Sequence, residues 1–189
     1  MKTKRILITL LSIFVLSLVL TSCKQHKKND SVEVMEVDLL LSNAETLVDE
    51  TIAVEGVCTH ICSHGGKKIF LMGSDDTQII RVEAGGDIGS FDQDAANSIV
   101  EVKGILRENR IDEAYLLNWE EQIAAQTDEK HGDGEAGCAS EQKAQNEKPS
   151  NTVQERIANF RERIAERNEK EGKNYLSFYF IEAEEYIVK

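Results

Sequence analysis

Five β-like runs, a first run long enough to bend at a glycine, and one helical turn between the third and fourth runs carry the fold prediction. They predict a mainly β protein with helical additions (α+β): a five-stranded OB-type Greek-key barrel with a two-helix insertion before the last strand. The 189 residues, 41% hydrophobic and 30% charged, suffice for one domain and its extras. Glycine totals only 12 and no short repeat recurs, which excludes collagen-like and low-complexity architectures.

Each element follows from local spacing. Asp38 is placed to cap a short helix whose apolar residues Leu39, Leu40, Leu41, Ala44, Leu47 and Val48 recur at three- and four-residue steps. Residues 51–64 carry β-branched side chains around Gly56, and residues 68–72 and 77–82 are short apolar runs bounded by Gly or Asp. Residues 91–96 predict one helical turn. Residues 98–106 alternate, with Ile99, Glu101, Lys103 and Ile105 on one face and Ser98, Val100, Val102, Gly104 and Leu106 on the other.

The period then switches. Residues 112–125 read as a helix with Ala114, Leu117, Trp119 and Ile123 facing inward. Residues 127–150 are rich in Glu, Lys, Gly, Gln and Asn, hold the single proline, Pro149, and read as disordered. Thr152 and Glu155 form a capping box for a helix over 152–170, whose apolar stripe is Val153, Ile157, Phe160 and Ile164. Glu166 and Lys170 add a pair one turn apart, and Gly172 stops the helix. Residues 175–188 are aromatic and β-branched, a terminal strand. The domain therefore spans 37–189, with its insertion over about 111–173.

The N-terminus carries a different signal. Lys2, Lys4 and Arg5 precede an apolar run over 6–20. At 1.5 Å per residue that run is about 22 Å long, short of a ~30 Å hydrocarbon core, and it suits a signal-peptide core. It ends Leu20-Thr21-Ser22-Cys23, which resembles the lipobox of bacterial lipoproteins. The resemblance implies a signal peptide over 1–22, cleavage before Cys23 and lipidation of the Cys23 sulfur, with palmitate among the acyl chains. It also implies a place in the bacterial cell envelope, membrane-anchored. Residues 23–36 read as a flexible tether. Its start, Lys24-Gln25-His26-Lys27-Lys28, is basic rather than acidic, which favours an outer-membrane position facing the periplasm and offers charge for anionic headgroups.

The formal charge is −12. Removing the +3 signal segment leaves 19 basic against 34 acidic residues, a formal −15. Such an acidic body lacks the electrostatic footprint of a phosphate-backbone binder, which needs clustered Lys and Arg, so nucleic acid is not an expected partner.

Ala53-Val54-Glu55-Gly56-Val57 and Glu101-Val102-Lys103-Gly104-Ile105 are paired Val-x-Val-x-Gly-like segments at the first and fourth strands. They resemble OB-fold domains of bacterial envelope lipoproteins, over about residues 38–107 plus the last strand. The resemblance implies the barrel and leaves its function open.

One cluster carries chemistry. Cys58-Thr59-His60-Ile61-Cys62-Ser63-His64 places potential metal ligands, Cys58, His60, Cys62 and His64, at every second position. On a regular strand they share one face. Thiolate and imidazole together suit Zn or Cu. Ideal geometry does not close the site, since Cys58 and Cys62 would lie roughly 13 Å apart along the strand. A disulfide needs Cα atoms about 4.4–6.8 Å apart. A hook at Ser63-His64-Gly65-Gly66, a second chain, or His131 and Cys138 from the insertion would each repair it. With Cys23 lipidated, Cys58, Cys62 and Cys138 remain, an odd number for an oxidising compartment.

Two readings stand side by side. One is a lipid-anchored binding protein holding Zn or Cu through this cluster. The other is a non-catalytic adaptor for another envelope protein, with its cysteines in a disulfide. An enzyme ranks below both: there is no Cys-x-x-Cys pair, and a thiolate–imidazole nucleophile from Cys62 with His60 or His64 lacks any legible pocket. Covalent haem attachment fails, because the spacing is Cys-x-x-x-Cys-x-His, while axial ligation by His60 or His64 stays open. Gly85-Gly86-Asp87-Ile88-Gly89 reads as a turn, Glu120 and Glu121 as a solvated face, and Trp119 and Phe160 as core.

Overall fold

The computed structural model describes residues 32–63, 65–125, 138–148 and 150–189. In chain order the elements are β1 (Val34–Glu36), α1 (Val37–Leu47), β2 (Thr51–Ile61), β3 (Lys68–Met72), β4 (Ile79–Ala84), a 3-10 turn (Gln93–Ala95), β5 (Ile99–Asp112), α2 (Glu113–Ala125), α3 (Ala139–Ala144), α4 (Val153–Glu171) and β6 (Tyr175–Val188). Five strands follow the order β2-β3-β4-β6-β5, and β5 pairs back onto β2 to close the ring. Within the ring only β4 and β6 run parallel. This is an OB-type barrel with helices inserted before its last strand.

The barrel interior is filled by the inward residues of each strand, among them Val54, Cys58, Leu71, Val82, Val100, Val102 and Ile181, all fully buried. The alternation of β5 falls as its spacing predicts: Val100, Val102 and Leu106 face in, while Ile99 is exposed. Gly104 is required by close approach. A Cβ there would sit 2.2 Å from the Glu182 carbonyl oxygen, at the point where the β5–β6 register shifts. Gly56 lies where β2 passes from β1 to β3 as its edge partner, and a Cβ would sit 2.8 Å from Val37 Cγ2.

Several expectations change. Residues 34–36, placed in the tether, form β1, which pairs parallel with 53–55 and covers the edge of β2 that β3 leaves open. Asp38 is not a cap, because β1 feeds directly into the helix and Glu36 takes the N-cap position. Its carboxylate instead accepts hydrogen bonds from the Ser74 amide (2.9 Å) and the Ser74 hydroxyl, fastening the β3–β4 turn. Those bonds hold its pKa below the usual carboxylate value.

β5 runs to Asp112, well past the polar stretch at 107–110, because β6 pairs with it all the way to Tyr175. The hairpin projects beyond the barrel and carries a second apolar cluster: Ile111, Leu176 and Phe178 against Leu116, Ile157 and Phe160 of the helices. The buried face of α2 is Leu116, flanked by Trp119 and Ile123; Leu117 and Ala114, expected inside, are exposed. α4 matches its predicted stripe and cap, with the Glu155 amide donating to Thr152 Oγ1 at 3.2 Å and Gly172 in the left-handed region at φ 69°. Arg161 ties it to α2 through Glu113 and Glu120.

Part of the polar stretch read as disordered forms regular structure. Residues 126–137 lie outside the described residues, but 138–148 form α3 and a turn. Polar pairing does what apolar burial does elsewhere. Arg81 pairs with Glu141, Lys143 with Asp76 at 2.8 Å, and Arg156 forks onto Glu147 through Nε and Nη2, both 2.6 Å. Gln142 is buried, its Oε1 accepting from the Ser150 amide at 3.0 Å. Such bonds are charge-assisted and directional, and composition alone does not reveal them.

Candidate functional site

The Cys/His run begins on the last residues of β2, and a β-bulge decides which way Cys58 and His60 point. Cys58 pairs with Leu71, yet His60 pairs with Phe70, so two steps on β2 oppose one on β3. Thr59 is the extra residue, and its hydroxyl donates to the Phe70 carbonyl at 3.4 Å. An inserted residue inverts the in–out parity of everything after it. Cys58 therefore faces the barrel core with Leu71, and Ile61 faces it next. His60 shares the outer face with Phe70, their ring centroids 5.8 Å apart. The expectation that Cys58, His60 and Cys62 share one face is overturned by this one residue.

Cys58 is buried in the barrel with its thiol donating to the His60 carbonyl at 3.6 Å. Burial pushes its pKa up, the direction that disfavours the thiolate a metal needs. Cys62 and Cys138 both line a cavity of about 560 Å³ between the barrel wall and the helical insertion. Cys138 stands at the start of α3 and brings Sγ to 3.9 Å from His60 Nε2. Thus the insertion brings a thiol up to the strand. Of the two insertion residues named from the sequence, Cys138 arrives and His131 lies outside the described residues. His64 and the lipidation candidate Cys23 also lie outside them.

Among the described residues, no three His, Cys, Asp or Glu side chains form a ready cage for a metal ion. Cys58, Cys62 and Cys138 are not joined to one another by disulfides. Cys58 and Cys62 stand on opposite sides of β2, which removes the local pairing considered from the sequence.

The cavity draws residues that sequence reasoning assigned only to packing or left aside. Trp119 and Phe160 belong to the second apolar cluster and also form cavity walls, with Phe70 opposite on β3. Arg81 rises from β4 beside them, stacked on Phe180 at 4.8 Å. The only sequence signal for this grouping is that Phe70 and Arg81 pair across adjacent strands, which requires knowing the register.

No family model matches the chain, and no curated protein matches it. Among solved structures, a candidate aspartyl-tRNA synthetase from Leishmania major Friedlin is similar at 20% identity with a TM-score of 0.26, covering 47% of this chain. The chain spans 18% of that structure's length.

Proposed function

We propose that this protein is a lipid-anchored binding protein of the bacterial envelope that holds a soft metal ion, Zn or Cu, on the outer face of its barrel. The donors are His60, Cys62 and Cys138, with His64 next in line; Cys58 is not among them. The observation that carries the reading is the approach of Cys138 Sγ to 3.9 Å from His60 Nε2 across 78 residues of sequence. Donors about 2.3 Å (sulfur) and 2.05 Å (nitrogen) from one metal lie about 3.6 Å apart at the tetrahedral angle and about 3.8 Å at 120°. The observed separation is close to that of two ligands sharing an ion. It is long for a hydrogen bond between them.

The test is metal content. The mature domain without lipid, purified in chelator-free buffer and offered Zn or Cu(I), is expected to bind one ion. Cys138→Ser is expected to abolish stoichiometric binding, while Cys58→Ser retains it. Binding that survives Cys138→Ser and fails in a folded Cys58→Ser would sink this ligand set. No metal together with a Cys62–Cys138 disulfide would favour the adaptor instead.

A further inference from the structure

The cavity beside the two outer thiols has a chemistry of its own. Its volume, about 560 Å³, falls in the range of small-molecule sites. Its apolar walls are aromatic: Phe70 from β3, Tyr115 and Trp119 from α2, and Phe160 from α4. The polar lining is cationic in a strongly acidic chain: Lys67, Lys68, Arg81 and Arg156 stand against one carboxylate, Glu141. Most of that charge is already matched. Arg81 pairs with Glu141, Arg156 with Glu147, and Lys68 lies 3.4 Å from Glu83. The net surplus is about one positive charge, so the complement is a monoanion. Arg81 itself is held between two carboxylates, pairing with Glu141 and lying 3.2 Å from Glu83 Oε1 through Nε.

We propose that this cavity binds a small aromatic monoanion, its ring between Phe70 and the Trp119–Phe160 wall and its acidic group toward Lys67, Lys68 and Arg81. The proposal stands apart from the metal reading, because it uses none of the thiols as ligands.

The chain contains a single tryptophan, Trp119, and it lines this cavity. Its fluorescence therefore reports occupancy directly. The mature domain, metal-free and carrying Cys62→Ser and Cys138→Ser, is titrated with 8-anilinonaphthalene-1-sulfonate and, separately, with uncharged N-phenyl-1-naphthylamine. The expected result is saturable 1:1 binding of the sulfonate with near-complete transfer from Trp119, at least tenfold tighter than the neutral probe. Lys67→Gln with Lys68→Gln, both surface positions, is expected to weaken the sulfonate roughly three- to tenfold, as loss of charge-assisted contacts does, and leave the neutral probe within about twofold. Equal affinity for the two probes, multiple sites, or binding without strong Trp119 quenching would overturn the proposal. Because both thiols of the proposed metal site are absent from this variant, failure of the metal site cannot produce either outcome.

Discussion

Thr59 is the residue on which the chemistry of the strand turns. Without the bulge, Cys58, His60 and Cys62 would point the same way; with it, one thiol is sealed in the barrel and the others face outward. The two environments predict different reactivity. A buried thiol whose pKa is raised carries less thiolate at a given pH, and it is also shielded from reagent. In the lipid-free mature domain, a disulfide-exchange reagent at pH 8 is expected to titrate Cys62 and Cys138 promptly. Cys58 should react only after denaturant is added, and as slowly as the domain unfolds. Prompt reaction of all three in the folded protein would contradict the bulged register.

At the scale of elements, α3 is the unusual one. It has six residues and scarcely any apolar surface, and it is held by ion pairs and hydrogen bonds rather than by a buried stripe. The most buried contact of the segment, just past α3, is Arg156 with Glu147, whose carboxylate side chain is 1% exposed. Removing one partner of a buried pair costs about 3–5 kcal/mol if the other stays buried. Here the segment can release Glu147 to water, so undocking caps the loss below that figure. Arg156→Ala is expected to open residues 138–150 to limited proteolysis while the barrel stays resistant. The variant should also weaken metal binding, since Cys138 rides on α3. Unchanged cleavage in a folded Arg156→Ala protein would show that other contacts hold the segment. α4 is the opposite case: a threonine N-cap, an apolar stripe and a left-handed glycine all act within its own length or at its ends.

Across the whole molecule, two apolar clusters share one long hairpin. The first lies inside the barrel, and the second sits where β5 and β6 project past it and meet α2 and α4. The barrel's own closure uses none of the helical insertion. Asp112 and Tyr175 face each other at the hairpin's far end, so a two-residue Asn-Gly turn can join them. A chain so shortened, with Ile111, Leu176 and Phe178 changed to Thr to spare the solvent an apolar face, is expected to fold and unfold in one cooperative transition. It should lose both the metal site and the aromatic cavity. A molten product, with secondary structure but no cooperative melt, would show that the barrel depends on its insertion.

What the amino-acid sequence determined by itself is local in origin. Strand alternation in β5, the stripe and caps of α4, and the stop at Gly172 each depend on residues a few positions apart, so period and turn chemistry reveal them. The five-stranded barrel followed from counting such elements and the turn between the third and fourth strands. Everything that assembles the candidate site is long-range. The bulge at Thr59 is set by pairing with β3, the extension of β5 by pairing with β6, and the order of α3 by partners such as Arg81 and Asp76, 60 and 67 residues earlier in the chain. Cys138 meets His60 for the same reason. Only the tertiary structure could decide these, because the free energy that holds them is shared between segments that no local pattern connects.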